Sequence, residues 1–459
     1  MMRYPVDPIT LTQAHEWISL QHTEQGSVDL AGVVGLKMDH PWRQAYAKAD
    51  DPDYTDNPCT LGLHWSLGTI KPSHFIGAVN LPFGNEQHSL VVRPRDVLEK
   101  QALVDYGAMF ASVLAAPSSV TGMELNWLFG CDPESESIRA YDLPQLTLLE
   151  VTAFLATTAH FVQRHLRQGF VQVRENLTGR VRGRILIAAQ IRENLVRARS
   201  ERMVCAYQQF NPDTLENRLL KAALEVCSRW IVSIPHPPPQ LQYWVWAIRA
   251  ALAPVPEYRP HPRDWSRVRK KGLMAAYAQP LALARLVLTR LHLMPDGQAE
   301  ESDQTLPFFL DANRLFEGWV GVCLNRVCTS VRGQEWRRLD LLGSSYKFRP
   351  DFLLKENGQQ IIVDSKYKPD GPELQDLYQV IGYARLLATP APIGADCNQG
   401  MEGLREACLA IPGQLEANVE SALEQFVNAW AARYNHSHCW ADEFRLSMVN
   451  VPLPKARVQ

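Results

Sequence analysis

Residues 349–366 read RPDFLLKENGQQIIVDSK. Two runs of strand-forming residues flank an Asn-Gly pair, and this dipeptide between apolar runs is typical of a two-residue β-hairpin turn. A type I′ turn centred on Asn357 and Gly358 places Asp351 directly opposite Asp364 on the partner strand. Because side chains alternate faces along a strand, Lys366 projects on the same side as Asp364. The sequence therefore predicts two carboxylates and one ammonium group converging on one point.

Facing carboxylates repel each other across a ladder unless a cation lies between them. A hard divalent ion such as Mg²⁺ relieves that repulsion, and a metal ion with a nearby ammonium group is what phosphodiester hydrolysis requires. We therefore expect Asp351 and Asp364 to bind Mg²⁺ and Lys366 to assist the attacking water. The alternative is a polar hairpin whose charged side chains face solvent, and one bulge would shift the register.

The sequence around the hairpin predicts an α/β domain over residues 301–459, with a sheet flanked by helices. Its predicted elements are a helix over 311–329, a strand over 337–342, the hairpin over 346–367, a helix over 372–388 and a short strand near 407–411. Residues 141–300 are predicted to form a mainly helical middle region, which includes a helix over 213–230 capped by Asp213 or Thr214. Residues 1–140 are rich in Gly, Pro and short apolar runs, and predict a β-rich N-terminal domain with a possible role in partner binding.

The bulk composition indicates an ordinary globular chain of two to three domains. It has 459 residues, 46% of them hydrophobic, and a net charge of −2, so no global basic field indicates a nucleic-acid partner. Nine cysteines without a C-x-x-C pair fit reduced thiols better than disulfides or a zinc site. No signal peptide and no run of 18 apolar residues is present, so we expect a cytoplasmic protein without a membrane span.

Two local stretches are strongly basic. Residues 173–203 contain eight arginines against three glutamates. A second cluster surrounds Trp265. Such stretches can bind DNA phosphates or an acidic partner, although a charged run is often only a solvated face. The predicted DNA-binding residues are Arg180, Arg182, Arg184, Arg267, Arg269, Lys270 and Lys271.

These residues together resemble the PD-(D/E)xK nuclease superfamily. Pro350-Asp351 and Asp364-Ser365-Lys366 match its signature, and Glu317 matches the acidic residue on its preceding helix. Gln379 and Tyr383, four residues apart on one helix face, are similar to the Q-x-x-x-Y helix of its RecB-like branch. The resemblance implies that Glu317 assists the metal site, either through water or as a further metal ligand. It also implies that Gln379 and Tyr383 steady the catalytic lysine or contact the DNA backbone.

More narrowly, the chain resembles McrC, the nuclease subunit of McrBC modification-dependent restriction systems, from about residue 141 onwards. The resemblance rests on LFE at 315–317, DSKYK at 364–368, DLYQVIGYA at 376–384, and upstream LTLLEV at 146–151, GRI at 183–185, EN at 193–194 and DTLENR at 213–218. It implies a Mg²⁺-dependent endonuclease that cuts DNA, in particular modified duplex, together with an McrB-like AAA+ GTPase hexamer. No G-x-x-x-x-G-K-[S/T] loop is present, so nucleotide hydrolysis is assigned to the partner. A stand-alone RecB-like nuclease and a non-catalytic DNA- or partner-binding adaptor remain alternatives.

Overall fold

The structure is a computed structural model with two compact units. One unit joins Met1–Ala153 to Asp303–Gln459, and the other comprises Phe154–Ser302. The first unit thus combines residues before position 154 with residues after position 302. The described residues are 9–12, 18–19, 63–66, 69–72, 75–83, 86–93, 104–121, 129–131, 138–139, 144–234, 236–269, 271–291, 304–305, 308–328, 330–333, 337–341, 344–356, 359–368, 371–388, 404–433, 437–439 and 445–455.

The described residues form the following strands and α-helices, each numbered in chain order. The strands are β1 Ile9–Thr12, β2 Ile18–Ser19, β3 Leu63–Ser66, β4 Thr69–Pro72, β5 Phe75–Phe83, β6 Glu86–Arg93, β7 Phe129–Cys131, β8 Ile138–Arg139, β9 Gly169–Thr178, β10 Arg184–Ile185, β11 Arg202–Asn211, β12 Gln304–Thr305, β13 Phe308–Asp311, β14 Ser330–Gly333, β15 Arg337–Leu341, β16 Ser344–Phe348, β17 Phe352–Glu356, β18 Gln359–Ser365, β19 Leu404–Glu416, β20 Ser437–Cys439 and β21 Arg445–Pro454. The α-helices are α1 Tyr106–Ala115, α2 Ser118–Thr121, α3 Pro144–Arg164, α4 Ile187–Glu193, α5 Leu215–Val232, α6 Pro239–Ala251, α7 Ala278–Arg290, α8 Ala312–Val327, α9 Leu374–Ala388 and α10 Val419–Ala432.

A six-stranded mixed sheet forms the centre of the first unit, with the strand order β14-β17-β18-β19-β21-β20. Its middle strands β18, β19 and β21 are parallel to one another, and the outer pairs are antiparallel. On one face, Val380 of α9 packs with Leu353 and Ile362 in a buried cluster. Phe352 points to the opposite face, where it approaches α8 at Gly321. The sheet is thus covered by helices on both faces, and the predicted α/β architecture of this part is confirmed.

The N-terminal strands share a sheet with a strand from the C-terminal part. In the order β1-β6-β5-β13-β7, β13 pairs antiparallel with both β5 and β7. Asp311, at the end of β13, caps α8 by accepting a hydrogen bond from the backbone amide of Arg314 at 3.1 Å. The N-terminal sheet therefore leads directly into the helix that carries Glu317.

The second unit is helical around a small antiparallel sheet, with the order β10-β11-β9. The predicted helix over 213–230 is observed as α5, and Thr214 is its cap because its side chain accepts a hydrogen bond from the amide of Asn217. The Asn217 amide group also donates to the carbonyl oxygens of Arg167 and Pro212 at 3.0 and 2.7 Å, and accepts from the Tyr277 hydroxyl at 2.9 Å. The DTLENR stretch is therefore largely a structural motif of this unit.

One described segment, Gly272–Thr289, has the length and apolar composition of a membrane span, but half of it is buried inside the protein. It includes most of α7, which packs against α5 and whose Leu283 and Leu286 are buried. Its apolar side chains are thus explained by packing within the second unit.

Candidate active site

The hairpin formed by β17 and β18 has the predicted register. Phe352 pairs with Val363 and Leu353 pairs with Ile362, so Asp351 and Asp364 are the next two residues along the ladder. Asp351 lies in a bend just before β17 rather than within the strand. Its Oδ2 accepts hydrogen bonds from the backbone amide and the hydroxyl of Ser365, each at 2.7 Å. The Asp351 carboxylate is thus hydrogen-bonded to Ser365, the residue between Asp364 and Lys366. The Asn357-Gly358 turn lies outside the described residues.

Asp364 is the buried carboxylate of the site, with 1% of its surface exposed. The Lys366 ammonium group lies 2.8 Å from its Oδ2, yet that oxygen accepts no hydrogen bond of good geometry from any described residue. Burial, and then the charge of Asp351, raise the pKa of Asp364 to about 7 although Lys366 acts in the opposite direction. Burial lowers the pKa of Lys366, but the charges of Asp364 and Asp351 outweigh this and raise it above its ordinary value. Lys366 is therefore protonated at neutral pH.

The chain beyond Lys366 is fixed to two further elements. The Lys366 amide donates to the carbonyl oxygen of Ala410 in β19 at 2.9 Å, which continues the parallel pairing past the end of β18. The Lys368 ammonium group donates to both oxygens of Asp376, in the first turn of α9, at 2.9 and 3.2 Å. It also lies 3.3 Å from Glu373. The Lys366 side chain thus extends from a backbone segment that is bonded to β19 and to α9.

Arg349 is a partly buried arginine two residues before Asp351. Burial, and then the charge of Arg314, lower the pKa of Arg349, while Glu317, Asp351 and Tyr383 act in the opposite direction. The charges of these three groups thus act on the Arg349 guanidinium group. Glu317 is buried on α8. The sequence predicts no role for Arg349, because an arginine two residues before an aspartate is not a specific signal.

Gln379 and Tyr383 share one face of α9 as predicted. The Gln379 amide donates to the Tyr383 hydroxyl at 2.9 Å. Gln379 is exposed, whereas the Tyr383 ring packs against the apolar cluster beneath the sheet. The pair thus connects the exposed surface of α9 with the apolar cluster beneath the sheet.

A metal ion would have to be held by two carboxylates with further ligands from elsewhere. Within the described part of the chain, no group of three or more His, Cys, Asp or Glu side chains is arranged to hold a metal ion. Glu317 therefore does not join Asp351 and Asp364 in a ready three-carboxylate cluster. The buried Asp364 Oδ2 and the oxygen-only ligand set suit a hard cation.

The basic stretch of residues 173–203 forms an exposed surface on β9, β10, α4 and β11. Arg180, Arg182 and Arg184 are all exposed. The Arg182 guanidinium group stacks on the Tyr207 ring, 4.1 Å from its centroid. Arg174 forms an ion pair with Glu193. The three predicted DNA-binding residues of this stretch are thus accessible to a partner.

Exposed apolar side chains lie between these arginines. We call the whole exposed surface of residues 180–199 the Arg/apolar surface. Its large apolar members are 37–77% exposed and are Val181, Ile185, Ile187, Ile191, Leu195 and Val196. A surface of this mixed character is more typical of a protein-binding site than of a phosphate-binding one.

The second basic cluster is only partly available for DNA. Arg269 donates from its backbone amide and its Nε to Oε1 of the buried Glu216, both at 3.1 Å. Arg267 lies 3.8 Å from Asp264 and is mostly exposed, and Lys271 is exposed. Lys270 lies outside the described residues. The predicted role of Arg269 in DNA binding thus competes with a structural role that the sequence did not reveal.

Comparisons with known proteins indicate one restriction system. The family model for the McrBC 5-methylcytosine restriction system component matches residues 70–391, more than two thirds of the chain. A Thermococcus gammatolerans half-complex of McrB AAA+ hexamers with bound McrC is similar with a TM-score of 0.44 and 16% identity, over 97% of this chain and 95% of that chain. The cryo-EM structure of the Thermococcus gammatolerans McrBC complex gives a TM-score of 0.29 and 19% identity, over 71% of this chain and 90% of that chain. No curated protein matches. Both TM-scores are low, and the family model alone decides the assignment: the chain belongs to the family of McrBC 5-methylcytosine restriction system components.

Proposed function

We propose that this chain is the Mg²⁺-dependent endonuclease subunit of an McrBC-like system, with a PD-(D/E)xK nuclease site. The observation that carries the proposal is the arrangement at the end of the β17–β18 hairpin. There Asp351 is tied to Ser365, and Lys366 lies 2.8 Å from the buried Asp364. A mixed sheet flanked by helices presents this hairpin, as the proposed nuclease fold requires.

The residues present fit Mg²⁺. Asp351 and Asp364 would hold it, with Glu317 assisting through water. When bound, Mg²⁺ polarises a phosphodiester and lowers the pKa of water. In the absence of a cation, the Asp351 charge is one of the causes that raise the Asp364 pKa, so a cation between the two carboxylates would remove an existing repulsion.

The cationic side chains have a different role. Because Lys366 is protonated at neutral pH, its ammonium group would orient the attacking water and stabilise negative charge that develops on the phosphate. Arg349 supplies a second, half-buried cation whose charge interacts with those of Glu317 and Asp351. Gln379 and Tyr383 would hold this side of the site or contact the DNA backbone.

The family membership supports a partner, in agreement with the missing phosphate-binding loop of the sequence. We propose that the partner is an McrB-like AAA+ GTPase hexamer and that the substrate is modified duplex DNA. Two binding roles are open to the Arg/apolar surface. Its arginines can bind DNA phosphates. Its exposed apolar side chains favour the partner protein instead.

Two other functions account less well for the site. A stand-alone RecB-like nuclease would need no restriction partner, although the chain belongs to the McrBC family. A non-catalytic adaptor would gain nothing from a buried carboxylate whose pKa is raised to about 7. Buried ionisable side chains with strongly shifted pKa values occur chiefly in catalytic and binding sites.

The test is cleavage of methylated and unmethylated plasmid DNA by the purified chain with its AAA+ partner, Mg²⁺ and GTP or ATP. Asp364→Ala and Lys366→Ala should each lower the cleavage rate about 100-fold or more. Lys355→Ala changes an exposed lysine of the same hairpin and is the matched control. Full cleavage by a folded Asp364→Ala protein would refute the proposed site.

A further inference from the structure

Helix α1 reaches the candidate active site from the N-terminal part of the chain. The hydroxyl groups of Tyr106 and Tyr367 form a hydrogen bond of 2.6 Å, in which either can be the donor. Tyr106 is the first residue of α1 and is 3% exposed, and Tyr367 directly follows Lys366. The two residues are 261 positions apart in sequence. The contact therefore belongs to the tertiary fold of the first unit.

Helix α1 is itself firmly placed. Asp105 caps it by accepting a hydrogen bond from the amide of Ala108 at 2.8 Å. The backbone amide of Asp105 donates to the carbonyl oxygen of Pro454 at the end of β21, also at 2.8 Å. Helix α1 also packs against α8. The Tyr106 hydroxyl thus projects from a support that is fixed to the same sheet as Lys366.

The Tyr367 ring is held from a second direction. It packs against Phe316 of α8 with the ring centroids 5.2 Å apart, and Phe316 directly precedes Glu317. Three successive residues are therefore held by different elements. Lys366 is bonded to β19, Tyr367 contacts α1 and α8, and Lys368 is bonded to α9.

We propose that Tyr106 is a positioning residue for Lys366, acting through the Tyr367 hydroxyl. The hydrogen bond limits rotation of the Tyr367 side chain. It thereby restricts movement of the adjoining backbone, from which the Lys366 side chain extends to Asp364. Holding a catalytic cation within a narrow range of positions is what a supporting contact contributes to catalysis. This role rests on the proposed nuclease function, and it assigns part of the nuclease site to the N-terminal segment.

The experiment compares Tyr106→Phe, Tyr367→Phe and the double variant in the complete system with partner, nucleotide and Mg²⁺. Each single variant removes only a hydroxyl group and should lower kcat about fivefold, the effect of one hydrogen bond, with an unchanged KM for DNA and a thermal midpoint lowered by no more than a few degrees. The double variant should have the same kcat as the single variants, because both remove the same contact. Tyr378→Phe is the matched control, since Tyr378 is 65% exposed on α9.

A second readout does not depend on cleavage. Hydrogen exchange of a peptide that covers residues 359–368 should become faster in Tyr106→Phe and stay unchanged in Tyr378→Phe. If the wild type does not cut DNA and Tyr106→Phe still exchanges faster than the wild type, the nuclease proposal is refuted, whereas the contact between Tyr106 and Tyr367 is supported. An unchanged kcat in Tyr106→Phe, multiplicative losses in the double variant, or unchanged hydrogen exchange would each overturn the positioning role.

Discussion

Replacement of Asp364 by asparagine is expected to abolish DNA cleavage and, at the same time, to stabilise the metal-free protein. The substitution keeps the size of the side chain but removes a charge that is almost completely buried. A rise of the carboxyl pKa from 3.8 to about 7 corresponds to about 4 kcal/mol against the ionised form in the folded protein. Since the folded structure relaxes around a buried charge, we expect a gain in the free energy of unfolding on the order of 2 kcal/mol.

The gain should depend on pH in one direction. Below about pH 4, Asp364 is protonated in both the folded and the unfolded protein and does not affect stability. Between about pH 4 and pH 7, the unfolded chain ionises while the folded protein keeps the proton, so the wild type loses stability as the pH rises. The difference between Asp364→Asn and the wild type should therefore be small at pH 4 and largest above pH 7.

The assay is denaturant unfolding in EDTA across this pH range, followed by thermal unfolding with added Mg²⁺. If Mg²⁺ binds the folded state as proposed, the wild type should gain stability with Mg²⁺, and Asp364→Asn should gain much less. Glu420→Gln, which neutralises a 65% exposed side chain paired with Arg326, should change stability by less than about 0.5 kcal/mol and cleave normally. A loss of stability in Asp364→Asn at pH 8 in EDTA would refute the argument that this carboxylate is held at an electrostatic cost.

Three further predictions follow from the rest of the chain. The isolated protein should neither bind nor hydrolyse GTP or ATP in calorimetry and phosphate-release assays, yet it should raise the turnover of the AAA+ partner. Replacing Arg180, Arg182 and Arg184 by glutamine should flatten the salt dependence of DNA binding by up to about 0.9 log units per lost phosphate contact if these arginines bind DNA. If the salt dependence stays unchanged and stimulation of the partner is abolished, the Arg/apolar surface belongs to the protein interface. Arg269→Ala should destabilise the protein by about 1–3 kcal/mol in urea unfolding because it removes hydrogen bonds to the buried Glu216, and a purely DNA-binding arginine would leave that midpoint unchanged.

The register of the hairpin could be predicted because it depends on local sequence. The Asn-Gly pair and the alternation of side chains define which residues face each other, and the observed ladder agrees with that register. The bend at Asp351 and its bonds to Ser365 could not be predicted, since a strand end is set by its surroundings rather than by its own residues. Helix α5 was also predictable, because its buried stripe repeats at helical spacing.

The buried face of α9 was predicted less well. Helical spacing predicts that Leu374 lies on the core side of α9 together with Leu377 and Ile381, but Leu374 is 63% exposed, while Val380 is completely buried in the cluster beneath the sheet. The assignment of Leu374 was therefore wrong. The sheet decides which helix face is buried, and a short amphipathic segment tolerates more than one choice. Arg349 and Tyr106 escaped prediction for a related reason, because their importance comes from residues that are distant in sequence.

The same long-range contacts tie the candidate active site to segments outside residues 301–459. Strand β13 obtains its partners β5 and β7 from the N-terminal part, and it leads into α8, where Asp311 caps the helix that carries Glu317. Helix α1 packs on that helix and contacts Tyr367. The acidic residue on α8 and the lysine at the end of β18 are thus both supported by segments before residue 154. Among the described elements, β13 thus links the N-terminal sheet to α8, and α1 links the same part of the chain to Tyr367.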